Sequence, residues 1–187
     1  MDKFDSEEER LFYLYCVELK ENGFIDSFDY QPEPFLLSSD VVYSWKKELK
    51  TKTKNMESNL LRNHIYTIDF KIYWNESARG IFFNEIEDEV LLSKIPFVAQ
   101  DKISHVEVKG SFDFNNMTRL ATVNIKWVYD KWGIYINKII PNGKKTCLFA
   151  KTFVPKEAML TVKTKKPKKY KFTVNSLESY LERKDKP

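Results

Sequence analysis

The chain has little of what soft-metal or disulfide-stapled sites need. Two cysteines, far apart in sequence, and only two histidines in 187 residues all but exclude a Cys/His zinc site. Cys16 lies among helix-forming apolar residues and Cys147 in a strand-like run, and both read as buried, reduced thiols. No apolar run approaches the roughly 20 residues of a membrane-spanning helix. The first residues, Met1-Asp2-Lys3-Phe4-Asp5, are acidic and lack the apolar core of an export signal, so a cytoplasmic protein is expected. Internal repeats are absent, as is any Pro/Gly/Ser-rich linker that would divide the chain.

What is present describes a globular domain. Apolar residues make up 42% of the chain and aromatic residues 15%, enough to bury a core at this length. The net charge of +4 is unevenly laid out. Residues 161–187 hold nine Lys/Arg against three Asp/Glu, a local +6, which leaves −2 for residues 1–160. A basic C-terminal extension on a near-neutral body suggests an anionic partner. The expected organisation is therefore a core over 1–160, with a basic insertion at about 45–64, and an extension over 161–187.

Ser6 can cap a helix running from Glu7 to Asn22, with Gly23 as its stop. Leu11, Phe12, Tyr15, Cys16 and Leu19 recur at helical spacing and form its buried face. The prolines of Phe28 to Leu37 suit an extended edge segment. Trp45 to His64 is polar and basic, and reads as an inserted loop or a loosely held helix. Ile65 to Trp74 alternates as a strand, with Ile81-Phe82-Phe83 as its hairpin partner and an acidic linker from Glu85 to Glu89. Ser104 to Gly110 is a second central strand. Phe114 to Tyr129 reads as a helix, Ile134 to Ile140 and Thr146 to Phe153 as strands, and Leu177 to Arg183 as a terminal helix. This order predicts an α/β (α+β) fold with a central mixed sheet flanked by helices.

Two strands carry polar residues that a packed sheet does not need. In Val106-Glu107-Val108-Lys109-Gly110, Glu107 and Lys109 project to one face and the valines to the other. In Tyr66-Thr67-Ile68-Asp69-Phe70 an acid interrupts an apolar strand, where it must be paired, protonated or bound to metal. If the strands are neighbours, Asp69 and Glu107 converge on one divalent ion. Magnesium suits such a site, since it takes one or two protein carboxylates and fills its shell with water and phosphate oxygens. Lys109 beside it would orient water and offset phosphate charge, services that phosphodiester hydrolysis requires. Taken singly, each feature has a plainer reading: a surface Glu-Val-Lys strand, and a locally hydrogen-bonded aspartate.

The order of these elements resembles the PD-(D/E)XK nuclease superfamily. Phe4-Asp5-Ser6-Glu7-Glu8-Glu9 looks like the F-x-S-x-x-E helix opening of small phage and transposon-associated members. Tyr66-Thr67-Ile68-Asp69-Phe70 resembles their Y-x-P-D-F strand, and Val106-Glu107-Val108-Lys109-Gly110 their [VI]-E-x-K-G strand. Gln31-Pro32 is also typical of the segment between. The likeness spans residues 4–110, nearest to phage Holliday-junction-resolving endonucleases and transposon end-cutting nucleases. Ile68 stands where those proteins usually have proline, and the spacer from Asp69 to Glu107 is longer than their hairpin. The resemblance implies a restriction-endonuclease-like core, a Mg2+ (or Mn2+) cofactor and a catalytic set of Glu9, Asp69, Glu107 and Lys109. Glu9, Asp69 and Glu107 would be the metal residues. It also implies DNA as substrate, branched DNA first, and a homodimer for symmetric cutting; a phage-encoded protein would act in the host cytoplasm. The helix acid is open among Glu9, Glu8 and no acid at all, because Ser6-x-x-Glu9 is also a capping box.

Nucleic-acid contacts are expected from Lys46, Lys47 and Lys50 in the insertion and from Lys165, Lys166, Lys168 and Lys169 in the extension. Arg119 and Lys126 would add phosphate contacts from the helix after Gly110. A solvated charged surface is the plainer account of each patch. His64 and His105 are expected to be ordinary residues. The rival from another class is a nucleic-acid-binding accessory protein that does not cut.

Overall fold

Helix α1 (Glu7–Glu21) starts where Ser6, in extended backbone, accepts the Glu9 N–H on its hydroxyl oxygen, and three glutamates fill the first turn, where the helix dipole favours negative charge. It ends at Gly23, whose φ of +77° an L side chain would resist. The computed structural model describes residues 4–87, 95–110, 118–160 and 166–184. They fall into two compact units, one of residues 1–32 with 68–187 and one of residues 33–67.

In the larger unit α1 leads into β1 (Ile25–Tyr30), and in the smaller unit β2 (Phe35–Ser38), β3 (Val41–Leu49), β4 (Lys52–Leu61) and β5 (His64–Tyr66) follow. The larger unit resumes with β6 (Phe70–Trp74), β7 (Phe83–Glu85), β8 (Phe97–Ala99), β9 (Ile103–Val108), α2 (Thr118–Trp132), β10 (Ile136–Ile139), α3 (Leu148–Lys151) and α4 (Leu177–Lys184). Its central sheet has the order β1-β6-β9-β10. β6 is antiparallel to both β1 and β9, whereas β9 and β10 run parallel. A parallel pair cannot be closed by a tight turn, and α2 lies in the intervening chain. The mixed sheet with helices is the expected α/β (α+β) arrangement.

The predicted buried face of α1 is inside: Leu11, Phe12, Tyr15, Cys16 and Leu19 are all 2% exposed or less. Phe12 meets Phe70 of β6 edge-on at 4.9 Å between ring centroids, and Tyr15 stacks on Phe153 at 4.5 Å. Trp74 is buried and its indole N–H donates to the Ser104 hydroxyl at 2.8 Å, the partner a buried indole needs. Leu177 and Tyr180 of α4 join the same core. Both cysteines are buried and unbridged.

Several expectations are overturned. Residues 45–64 are neither loop nor helix: β3 and β4 form a long antiparallel hairpin. Val41, Tyr43, Trp45 and Leu49 keep a period of two there, beneath a lysine content that suggests irregular chain. The strand expected over Ile65 to Trp74 is broken. β5 pairs with β2 in the smaller unit, while β6 starts at Phe70. Ile81–Phe83 is not the hairpin partner of β6, since β7 pairs in parallel with β8 in a sheet of its own. The expected strand at Thr146 to Phe153 contains the short helix α3. The early part of the helix expected from Phe114, the end of the acidic linker at Asp88 and Glu89, and Lys165 lie outside the described residues.

Candidate active site

Asp69 stands at the entrance to β6, one residue before the strand. Phe70 is in register with Val106, so extending the antiparallel register by one residue places Asp69 opposite Glu107. Directly opposed residues share a face. The side chain of Asp69 stands in for the missing ladder bond: its Oδ2 accepts the Val108 N–H at 2.6 Å. Its own carbonyl accepts the Gln31 N–H at 2.8 Å. Gln31, at a φ of +49°, turns the chain out of β1. Asp69 is thus fastened to β9 through its side chain and to the residue after β1 through its backbone.

Glu107 is 5% exposed, between the buried Val106 and Val108. Lys109 reaches back along the same face, and its Nζ lies 2.6 Å from Glu107 Oε1. The backbone of Lys109 is held in turn by the Ile139 carbonyl of β10, at 2.8 Å.

Glu9 is buried one turn into α1, and its carboxylate is not spent on the Ser6 backbone N–H as a capping box would have it. Oε1 accepts the Ser6 hydroxyl at 2.8 Å, and Oε2 accepts the Tyr30 hydroxyl of β1 at 2.7 Å. Glu8 instead borders a separate pocket together with Lys144 and Lys168, so of the two it is Glu9 that bonds to the sheet, through Tyr30.

The electrostatics tie the four residues together. Burial pushes the Asp69 carboxyl up to about 7, and the charge of Glu107 and, more weakly, Glu9 push the same way. The Val108 N–H and the Lys109 ammonium oppose that rise. Like charge and desolvation disfavour the ionised form, and an added cation would relieve both. Tyr30 is likewise raised to about 12, first by burial and then by the Glu9 carboxylate its hydroxyl bonds.

The donor set is oxygen only, which suits a hard divalent cation. Among the described residues no group of three or more His, Cys, Asp and Glu is arranged to hold a metal ion. Of the three acids that the resemblance names as metal residues, Asp69 and Glu107 are the two that the register brings opposite each other and that could hold such an ion. Glu9, fixed by Ser6 and Tyr30, acts on Asp69 through charge.

The other expected contacts belong to several elements. Arg119 and Lys126 are exposed on α2, and Lys126 borders a depression formed with Ile125, Tyr129 and Tyr135. Lys46, Lys47 and Lys50 are exposed on the β3–β4 hairpin, Lys166 and Lys169 are exposed, and Lys168 is half-buried with its Nζ 3.6 Å from Glu7. His64 belongs to β5. His105 is driven down to about 4 by burial and by the nearby Lys71 charge. Sequence reasoning missed Tyr30, although its place directly before Gln31-Pro32 was a usable signal.

Comparison of the chain with protein-family models, with curated proteins and with solved structures finds no match.

Proposed function

We propose that the chain is a metal-dependent DNA endonuclease with a restriction-endonuclease-like core, hydrolysing phosphodiester bonds at Asp69, Glu107 and Lys109. The observation that carries this reading is the meeting of two acids and one ammonium group at the end of two central strands. Asp69 takes the Val108 N–H and Lys109 pairs with the intervening Glu107. A further acid, Glu9, leans on the same site from α1.

Asp69 and Glu107 would hold a magnesium or manganese ion, which when bound supplies Lewis acidity and a more acidic water. The protein's own contribution is positioning and charge. The Val108 N–H fixes one oxygen of Asp69 and leaves the other for a ligand. Lys109, paired with Glu107 and still 24% exposed, can orient water and offset the charge that builds on phosphate oxygens in the transition state. The Ser6 and Tyr30 hydroxyls hold Glu9 rigid, so that its charge stays aimed at the pair.

Branched DNA is the first substrate to try, and symmetric cutting of a junction requires two copies of the site. The test is incubation with plasmid, linear duplex and a synthetic four-way junction, with magnesium or with EDTA. Magnesium-dependent cutting lost in Asp69→Asn and Glu107→Gln supports the reading. Cutting that survives both substitutions overturns the site, and binding without cutting on every substrate favours a non-cleaving accessory protein.

A further inference from the structure

The β3–β4 hairpin has a feature that its own folding does not call for. Five lysines and one glutamate lie between residues 46 and 54, a net charge of +4. The register sorts these charges by face. Tyr43, Trp45, Lys47 and Leu49 stand opposite Ser58, Met56, Lys54 and Lys52, and opposed residues in an antiparallel pair share a face. Lys47, Lys52 and Lys54 therefore project together, on the face that carries Tyr43 and Trp45 and has no acid. The other face holds Lys46 with Glu48 and Glu57, alongside Ser44, Thr53, Asn55 and Asn59, and is close to neutral.

Two observations argue that the lysine face is built for a ligand. Lys47 and Lys54 are directly opposite each other, a like-charge rung that costs the hairpin stability. Every residue of β3 is exposed, and in β4 only Met56 is partly covered. Stacking of Tyr43 on Trp45, 5.6 Å apart and 18° from parallel, stiffens the base of this face without covering it. A paired ribbon with one cationic face matches a polyanion of regular charge spacing, and a two-stranded ribbon has the width that a duplex major groove admits.

We propose that residues 41–61 are a nucleic-acid-binding arm whose Lys47/Lys52/Lys54 face grips the phosphate backbone of a duplex. The assignment needs no catalysis and stands apart from the nuclease reading, so it is tested in EDTA, where cutting plays no part. Affinity for a DNA duplex of about 30 base pairs, long enough for several phosphate contacts, is measured by fluorescence anisotropy across a salt series. Each phosphate contact contributes about 0.9 to the slope of log affinity against log salt. The triple variant Lys47→Gln/Lys52→Gln/Lys54→Gln should lower that slope by about 2 to 3 and weaken binding at least about tenfold at moderate salt. Lys46, expected from the sequence to join the contacts, lies on the opposite face by the register, so Lys46→Gln should leave the slope unchanged where one lost phosphate contact would lower it by about 0.9.

Lys54→Glu supplies a control for folding, because it places opposite charges across the rung and should hold or raise the melting temperature while still losing affinity. An unchanged slope in the triple variant overturns the proposal. So does a drop of about 0.9 in Lys46→Gln, which would put the opposite face on the phosphates. Tighter binding of a single strand of the same length, sensitive to Trp45→Ala and indifferent to the lysines, would replace backbone gripping with base stacking and overturn it as well.

Discussion

Replacing Asp69 with asparagine removes a charge that burial, Glu107 and Glu9 all oppose, while keeping an oxygen for the Val108 N–H. The carboxyl stands at about 7 in the folded protein against 3.8 for the free group, a rise of about three units at about 1.36 kcal/mol each. Because the folded value is the higher one, the unfolded chain ionises first as pH rises. The contribution of Asp69 to stability is whole below about pH 4, is lost between about 4 and 7, and stays lost above that. An asparagine carries no such loss. Asp69→Asn should therefore match wild type near pH 4 and exceed it by up to about 4 kcal/mol at about pH 8. For a chain of this size that is a rise of roughly 8–16 °C in melting temperature. The same substitution should abolish magnesium-dependent cutting, and wild type alone should be stabilised by added magnesium, by about 2.7 kcal/mol at a hundredfold excess over Kd, seen as a higher melting temperature. Calorimetry or dye-monitored melting at about pH 4.5, 6 and 8, with and without magnesium, measures all of this. A variant less stable than wild type at the highest pH, or a gap that does not widen with pH, would refute the argument that the surroundings of Asp69 disfavour its ionised form.

Lys109→Met leaves the buried Glu107 without its 2.6 Å ammonium partner and should cost about 3 kcal/mol in urea unfolding, along with at least about a hundredfold loss of cutting rate. Tyr30→Phe deletes the hydroxyl that Glu9 Oε2 accepts. It should destabilise by about 1–3 kcal/mol, and Ser6→Ala combined with it should do less than the two separate losses added. His105, neutral in the fold down to about 4, favours the folded state above about 6.5 and withdraws that support as pH falls through its folded value. Its imidazole resonances, followed by NMR, should stay at their neutral positions at about pH 5.5, and a normal titration there would show that Lys71 and burial do not act as described.

Features written in local periodicity were legible in the chain itself. The buried stripe of α1, the Ser6 cap, the Gly23 stop, the strands at 103–108 and 136–139 and the terminal helix all follow from residues within a turn or two of one another. Glu107 and Lys109 share a face through strand alternation alone. Short-range pattern fails where composition masks it, as in the lysine-rich hairpin of residues 41–61. It fails again where one segment reads equally well as strand or helix, as at Thr146 to Phe153, whose apolar run gives neither period an advantage.

The partners of these elements belong to the tertiary structure. Only the pairing of β6 with β9 brings Asp69 opposite Glu107, and only there does the Val108 N–H meet the Asp69 carboxylate. Whether Glu9 caps its helix or faces the sheet was open in the chain, since Ser6-x-x-Glu9 serves both. The Tyr30 hydroxyl, brought in by the neighbouring strand, decides it. Alternation and helical phase set where a side chain points relative to its own backbone. Which charge it then meets depends on contacts between segments far apart in sequence, and burial between those segments is what turns Asp69 from an ordinary acid into one that ionises near neutral pH.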